Sequence, residues 1–263
     1  KGRASVRVEV NEDPVQVKIT FIDSDDVFTP EFLEITQRVM QQKNVKLVQT
    51  SYTSHEKEYR EHLAVTEPKT EIYTNEEAFR NYILDDKITG YIWGKLYDAS
   101  LFEKVRYPEK ITHGQDSYTT FKFLLLAEKM AFVDEVLYYY CRHEDTLTGT
   151  FSTNRMKLCK VADEMRKFVS EEGYDQLPDI RKLIESYEIQ MNFMILNYYI
   201  GHGQDQKYQK ELLQVRKAIL RADWKNPYIK KKYRIMHFLL KLSYPLFRFS
   251  SVVSQKALRN RYW

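Results

Sequence analysis

An acidic turn follows the first apolar segment of this chain and constrains its fold more than any other feature. The segment Val17–Ile22 has the β-branched and apolar residues of a buried strand, and the acidic turn, Asp23–Asp26, follows it directly. Thr29 and Pro30 then suit the N-cap and the first position of a helix. In an open α/β sheet, ligands bind where a strand ends and the chain enters a helix. The sequence therefore predicts an α/β domain with carboxylates at its ligand-binding edge.

The three carboxylates of the acidic turn have two interpretations. Asp23, Asp25 and Asp26 lie within four residues and repel one another, and a hard divalent cation such as Mn²⁺ or Mg²⁺ would relieve that repulsion. Such a cation can in turn hold a diphosphate. The alternative is a solvated turn, because Asp and Ser are favoured in turns for local reasons. The local sequence leaves both interpretations open.

Composition excludes several other classes of protein. The 263 residues are 43% hydrophobic and 30% charged, which permits one large domain or two small ones with a sizeable core. Neither the G-x-x-x-x-G-K-[ST] nor the G-x-G-x-x-G phosphate-binding pattern occurs. Cys141 and Cys159 are too few for a disulfide framework and fit a reducing cytoplasm. We expect no signal peptide and no membrane-spanning helix, since no apolar run approaches about 18 residues.

Strands and helices alternate up to about residue 150, which predicts a mostly parallel sheet, and the chain beyond is helical. We expect domain boundaries at 1–150, 151–224 and 225–263. The predicted strands are Val17–Ile22, Val45–Val48 and Ala131–Tyr140, and Ser51–Thr70 is predicted as a loop. The predicted helices are Thr29 to about Gln42, Thr74 (a capping box) to about Leu84, Gln115–Met130, Asn154–Glu172, Pro178–Tyr199 and Gln204–Ala222.

The C-terminal segment is strongly basic. Residues 225–263 hold ten Lys or Arg and no Asp or Glu, whereas the other 224 residues hold 31 Lys or Arg against 37 Asp or Glu. The basic residues alternate with large apolar ones, which is typical of helices lying on an anionic membrane, with Tyr262 and Trp263 as anchors. Pro245 predicts two short helices instead of one long one. A nucleic-acid patch, which the apolar content disfavours, and a helix packed on its own domain are the alternatives.

Four strings, taken together, resemble motifs of the inverting family-two glycosyltransferases of bacteria, which build capsule, exopolysaccharide and cell-wall glycans. Their order and spacing make the resemblance more specific than any single string. The strings are Ile19–Asp26, Trp93–Tyr97, Gln115 with Asp116, and Val133–Tyr140 followed by Arg142 and His143.

The resemblance implies a function for each string. Asp23, Asp25 and Asp26 look like the family's Asp-x-Asp motif, which holds a divalent metal on the diphosphate of a nucleotide sugar such as a UDP-sugar. Asp116 looks like the catalytic base that takes the proton of the acceptor hydroxyl. The remaining matches imply substrate contacts by Trp93, Lys95 and Gln115, and a third metal ligand or a phosphate contact by His143.

Each of these residues also has a purely structural interpretation. Asp116 begins a helix, where a carboxylate favours the helix dipole. Trp93 is either a core residue or a platform for a sugar ring. Lys95 is otherwise a solvated lysine and His143 a surface histidine. Gln115 departs from the family pattern, which has Glu there.

Two strings of the family have no counterpart in this sequence. Family members begin with two strands that hold the nucleotide base and ribose, and neither motif occurs here. The resemblance therefore implies an incomplete GT-A domain of Rossmann-like α/β type that lacks its N-terminal nucleotide-binding strands and is followed by a helical extension. A sheet without those strands would also leave an edge open to pairing.

Two functional hypotheses follow. The first is a glycosyltransferase that moves a sugar from a nucleotide-sugar donor to a glycan or lipid-linked acceptor with inversion. It would be cytoplasmic and peripheral at the inner face of the cell membrane, with no nucleic-acid partner. The second is a non-catalytic module of the same fold that binds a membrane surface or a partner. Binding of the donor discriminates the two.

Overall fold

A computed structural model describes residues 4–8, 17–60, 65, 67–84, 87–108, 114–141 and 151–259. The chain divides into two compact units, residues 1–150 and residues 151–263. The first unit is α/β and the second is helical, so the predicted α/β class with a helical C-terminal extension is confirmed.

The first unit alternates strands with short helices. The capping box at Thr74 forms as predicted, because its hydroxyl accepts from the Glu77 N–H and the Glu77 carboxylate accepts from the Thr74 N–H. The elements are β1 (Ala4–Val8), β2 (Lys18–Ile22), β3 (Val27–Phe28), α1 (Phe32–Lys43), β4 (Leu47–Thr53), α2 (Glu56–Arg60), β5 (Thr70–Thr74), α3 (Asn75–Ile83), β6 (Lys95–Asp98), α4 (Leu101–Lys104), α5 (Gln115–Leu126) and β7 (Lys129–Tyr139).

The described strands form one sheet in the order β1-β2-β6-β4-β7-β3, and β5 also pairs with β7. Only β4 and β7 pair in parallel; every other described pair is antiparallel. The predicted mostly parallel sheet is therefore wrong. Alternating strands and helices give parallel strands only if each helix returns the chain to the end of the sheet where the previous strand began. Here β6 lies between β2 and β4 and is antiparallel to both.

Several local predictions also need correction. Helix α1 begins at Phe32 with Glu31 as its N-cap, so Thr29 and Pro30 do not take the predicted N-cap and first helical positions. The predicted loop Ser51–Thr70 contains the end of β4 and the helix α2. Strand β5 was not predicted, because its sequence TEIYT is polar and lies at an edge. Helix α5 ends at Leu126 instead of Met130, since Glu128 adopts a left-handed backbone conformation (φ 59°) just before β7.

The pairing places four strand ends together at one edge of the sheet. Antiparallel β2 and β6 bring the end of β2 beside the start of β6. Parallel β4 and β7 end together, with Thr53 paired to Tyr139. Helix α1 packs Phe32, Ile35 and Val39 against the sheet and holds these strands in place. The acidic turn, which leaves β2 at Ile22, lies at this edge.

The second unit is built around a long buried helix. Its α-helices are α6 (Val161–Glu171), α7 (Ile180–Gly201), α8 (Gln209–Arg221), α9 (Lys231–Leu242) and α10 (Tyr244–Arg259), and a 3₁₀ segment covers Thr153–Lys160. The predicted break near Pro245 is confirmed, since α9 ends at Leu242 and α10 begins at Tyr244. Within the described residues, none of the helices is long and apolar enough to cross a membrane.

Candidate functional site

The acidic turn is held to the end of β7 by Asp26. The Asp26 N–H donates to the Asp23 carbonyl over 3.0 Å, which closes the turn. The Asp26 carboxylate is 8% exposed and accepts from the Tyr138 hydroxyl (2.5 Å) and from the Cys141 N–H (2.9 Å). Burial raises the pKa of Asp26, and these two hydrogen bonds oppose that rise. Both carboxylate oxygens of Asp26 thus accept hydrogen bonds from residues at or just after the end of β7, and Asp26 holds the acidic turn against that strand end.

Asp23 and Asp25 are the more accessible carboxylates of the turn, and both are half-buried. No group of three or more His, Cys, Asp or Glu within the described residues could hold a metal ion. His143, the predicted third ligand, lies outside the described residues. A cation such as Mg²⁺ usually takes one or two carboxylates together with substrate phosphates and waters. Asp23 and Asp25 fit that kind of shared site and not a cage made by the protein alone.

Lys95 is fully buried at the start of β6. Its ammonium donates to the Thr89 hydroxyl (2.9 Å) and to the Tyr91 carbonyl (2.6 Å), so it fixes the backbone that leads into β6. Burial lowers the pKa of Lys95 to about 7, and the negative charge of Asp116 opposes that fall. Lys95 thus stabilises the backbone between Thr89 and the start of β6. Its predicted substrate contact stays a prediction.

Trp93 is a packing residue at the centre of an aromatic cluster. The Trp93 ring stacks on Tyr91 (4.4 Å between centroids), Tyr138 (4.5 Å) and Tyr140 (5.5 Å), and it meets Tyr52 edge-on. Only 4% of Trp93 is exposed. Of the two interpretations of Trp93, the core residue is therefore the one that the structure supports. As a platform for a sugar ring Trp93 is a poor candidate, because tyrosine rings already cover it.

Asp116 is the second residue of α5, and Gly114 precedes the helix in a left-handed conformation (φ 74°). The Tyr107 hydroxyl donates to Asp116 Oδ1 over 2.5 Å. The Tyr107 ring in turn lies 6.2 Å from that of Phe21, the second-last residue of β2. Gln115 is half-buried at the first position of α5. Tyr107 thus lies between Asp116 and Phe21, and Phe21 is at the end of β2, shortly before the acidic turn in the chain.

Sequence reasoning missed the tyrosines of this site. Tyr138 is a residue of β7, and its hydroxyl accepts a hydrogen bond from the Asp23 N–H (3.5 Å) and donates one to Asp26. Tyr91 stacks on Trp93 but is 44% exposed, so it is the most accessible ring of the cluster, followed by Tyr52 at 38%. The high tyrosine content, 20 of 263 residues, was the available signal, but composition does not say which rings meet.

The sequence matches two curated glycosyltransferases at moderate identity, while no family model matches it. It is 27% identical to glycosyltransferase GlyA of Streptococcus pneumoniae over 165 residues, which cover 59% of this chain and 23% of GlyA. It is 21% identical over 197 residues to EpsH of Bacillus subtilis, whose name proposes a glycosyltransferase, covering 73% of this chain and 57% of EpsH. The chain thus spans about a quarter of one relative and about half of the other.

Solved structures of one protein, TarS, share the fold of this chain. A crystal structure of S. aureus TarS 1-349 in complex with UDP-GlcNAc superposes with a TM-score of 0.59 and 14% identity, over 91% of this chain and 68% of that one. A second TarS structure superposes with a TM-score of 0.53 over 90% of this chain and 40% of that one, also at 14% identity. At such identity the likeness shows the fold alone. In sequence the chain is therefore similar to two bacterial proteins named as glycosyltransferases, and in fold it is similar to TarS.

Proposed function

We propose that this chain transfers a sugar from a nucleotide-sugar donor to an acceptor hydroxyl, as a GT-A enzyme that inverts the anomeric configuration. The observation that carries the proposal is the hydrogen bond from Tyr107 to Asp116, because the Tyr107 ring lies 6.2 Å from that of Phe21, at the end of the strand that leads into the acidic turn. The sequence relatives named as glycosyltransferases support the same chemistry.

The donor side of the proposal rests on Asp23 and Asp25. These two carboxylates would hold a divalent cation, Mn²⁺ or Mg²⁺, which when bound supplies positive charge for the departing nucleoside diphosphate. Asp26, tied to Tyr138 and Cys141, would keep the turn in the conformation that presents the pair. A UDP-sugar is the proposed donor, because the superposed TarS structure is a complex with UDP-GlcNAc.

The acceptor side rests on Asp116. A sugar hydroxyl is a poor nucleophile, and a positioned carboxylate raises its reactivity by taking the proton as the oxygen attacks the anomeric carbon. Attack from the face opposite the leaving diphosphate inverts the configuration. Tyr107 holds one oxygen of Asp116, and the exposed Tyr91 ring offers an apolar face for the acceptor sugar.

We further propose that the acceptor is a glycan or lipid-linked intermediate of bacterial surface polysaccharide synthesis, used at the inner face of the cell membrane. The basic residues 225–263 support this location. Anionic headgroups attract such a segment and would bring the site close to a lipid-linked substrate.

Calorimetric titration with UDP, with and without Mn²⁺, tests the donor site directly. We expect binding that requires Mn²⁺ and that is lost in Asp25→Ala, while Asp134→Ala, which removes an exposed carboxylate in β7, keeps it. If the folded chain binds no UDP with Mn²⁺, the claim that it holds a UDP donor by itself is wrong. The chain would then be better explained as a non-catalytic module that binds a partner or a membrane surface.

A further inference from the structure

The last two described helices each expose a row of large apolar side chains. Along each helix the row repeats at intervals of three or four residues, which places its members on one helical face. Their exposure ranges from 43% to 68%, in contrast to the buried interior of the same unit. We call these residues the apolar rows: Ile235, Phe238 and Leu242 on α9, and Leu246, Phe249 and Val253 on α10.

Other faces of α9 and α10 attach them to the second unit. Arg234 donates to the Asn226 carbonyl over 2.6 Å, and Arg248 donates to the buried Asp205 carboxylate over 2.8 Å. Phe247 is buried in the same unit. The helices therefore have their packing and ion-pair contacts without the apolar rows, and the rows remain exposed to solvent.

The charge around the apolar rows is of one sign. Lys231, Lys232 and Lys241 are exposed on α9, and Lys225 is exposed ahead of it. Residues 225–263 contain no Asp or Glu at all. A partner for this surface must therefore offer negative charge together with an apolar layer. Neighbouring anionic headgroups and acyl chains of a lipid bilayer supply both.

We propose that α9 and α10 dock on an anionic membrane, with the apolar rows at the boundary between headgroups and acyl chains and the lysines against the phosphates. The contact is with the membrane surface, because neither helix is long and apolar enough to span a bilayer. A nucleic acid would satisfy the lysines but would leave six large apolar side chains in water. The proposal depends on the second unit alone and holds whether or not the first unit transfers sugar.

Sedimentation with lipid vesicles tests the proposal. We expect the chain to pellet with vesicles of phosphatidylcholine and phosphatidylglycerol in equal parts, and at least tenfold less with phosphatidylcholine alone. The double variant Phe238→Ser with Phe249→Ser should lose most of this binding. The control is Leu213→Ser with Leu220→Ser, which removes two exposed apolar residues of α8 and should bind like the wild type.

A charge variant tests the contribution of the lysines separately from that of the apolar rows. Replacing Lys231, Lys232 and Lys241 with Gln should weaken binding to the anionic vesicles and reduce its dependence on salt. The proposal is overturned if the folded wild type does not pellet with anionic vesicles, or if the α8 control loses as much binding as the row variant. It is also overturned if light scattering shows a dimer in solution that the row variant converts to monomer, since the rows would then pair with a second copy.

Discussion

The hydroxyl of Tyr138 donates a hydrogen bond of 2.5 Å to Oδ2 of Asp26, across 112 residues of sequence. This contact ties the turn after β2 to the end of β7. The same Tyr138 ring stacks on Trp93, which leads into β6. One tyrosine thus joins three strand ends, and the accessible carboxylates Asp23 and Asp25 take their position from it.

Removal of the Tyr138 hydroxyl should destabilise the first unit. In Tyr138→Phe the buried Asp26 carboxylate loses one of its two hydrogen bonds, and we expect a loss of about 1–3 kcal/mol in the free energy of unfolding. Urea unfolding measures it, and Tyr52→Phe, a change in a more exposed tyrosine of the same cluster, is the control. Equal stability of the two variants would show that this hydrogen bond does not hold the turn. If the turn also presents the metal ligands, Tyr138→Phe should weaken Mn²⁺-dependent binding of UDP.

Lys95 should make stability depend on pH in the neutral to alkaline range. Its pKa is about 7 in the folded protein and about 10.4 in an unfolded chain, so between these values the unfolded state binds the extra proton. Stability should therefore rise from about pH 7 towards pH 9. Lys95→Met should flatten this rise in thermal unfolding, whereas Lys129→Met, a change at an exposed position, should keep it. A rise of the same size in Lys95→Met would mean that Lys95 is not its source.

Trp93 and Tyr91 should respond differently to truncation. Trp93→Ala opens a cavity among four tyrosine rings and should cost about 3–5 kcal/mol of stability. Tyr91→Ala, at a half-exposed ring, should cost about 1 kcal/mol or less. In a transfer assay, we expect Tyr91→Ala to raise the KM for acceptor and to leave donor binding unchanged. An unchanged KM for acceptor would remove Tyr91 from the acceptor site.

Asp116→Asn should separate chemistry from donor binding. The amide keeps the shape of the side chain but accepts no proton, so transfer should fall about 10²–10⁴-fold. Binding of UDP with Mn²⁺ should stay at the level of the wild type, as measured by calorimetry. Asp134→Asn is the control for a lost carboxylate elsewhere. A variant that transfers sugar at the wild-type rate would show that Asp116 is not the base.

Local sequence was sufficient for three features that neighbours in the chain decide. Val17–Ile22 contains a strand and places the acids at its end, as predicted. The Thr74 capping box begins a helix, and the segment around Pro245 separates two helices. These features depend on hydrogen bonds and backbone preferences within a few residues, which the order of amino acids specifies directly.

The tertiary structure alone decided the direction of the strands and the role of each site residue. The entry of β6 between β2 and β4 made the sheet mostly antiparallel, although the alternation of elements suggested the opposite. In the structure Asp26 fixes the acidic turn to β7, and the buried Lys95 fixes the backbone that leads into β6. Trp93 packs among tyrosine rings. The Asp26 carboxylate meets the Cys141 N–H, 115 positions away, and no local pattern distinguishes a side chain that meets such a partner from one that faces water. Burial, and with it the chemistry of a carboxylate or an ammonium, is set by those contacts.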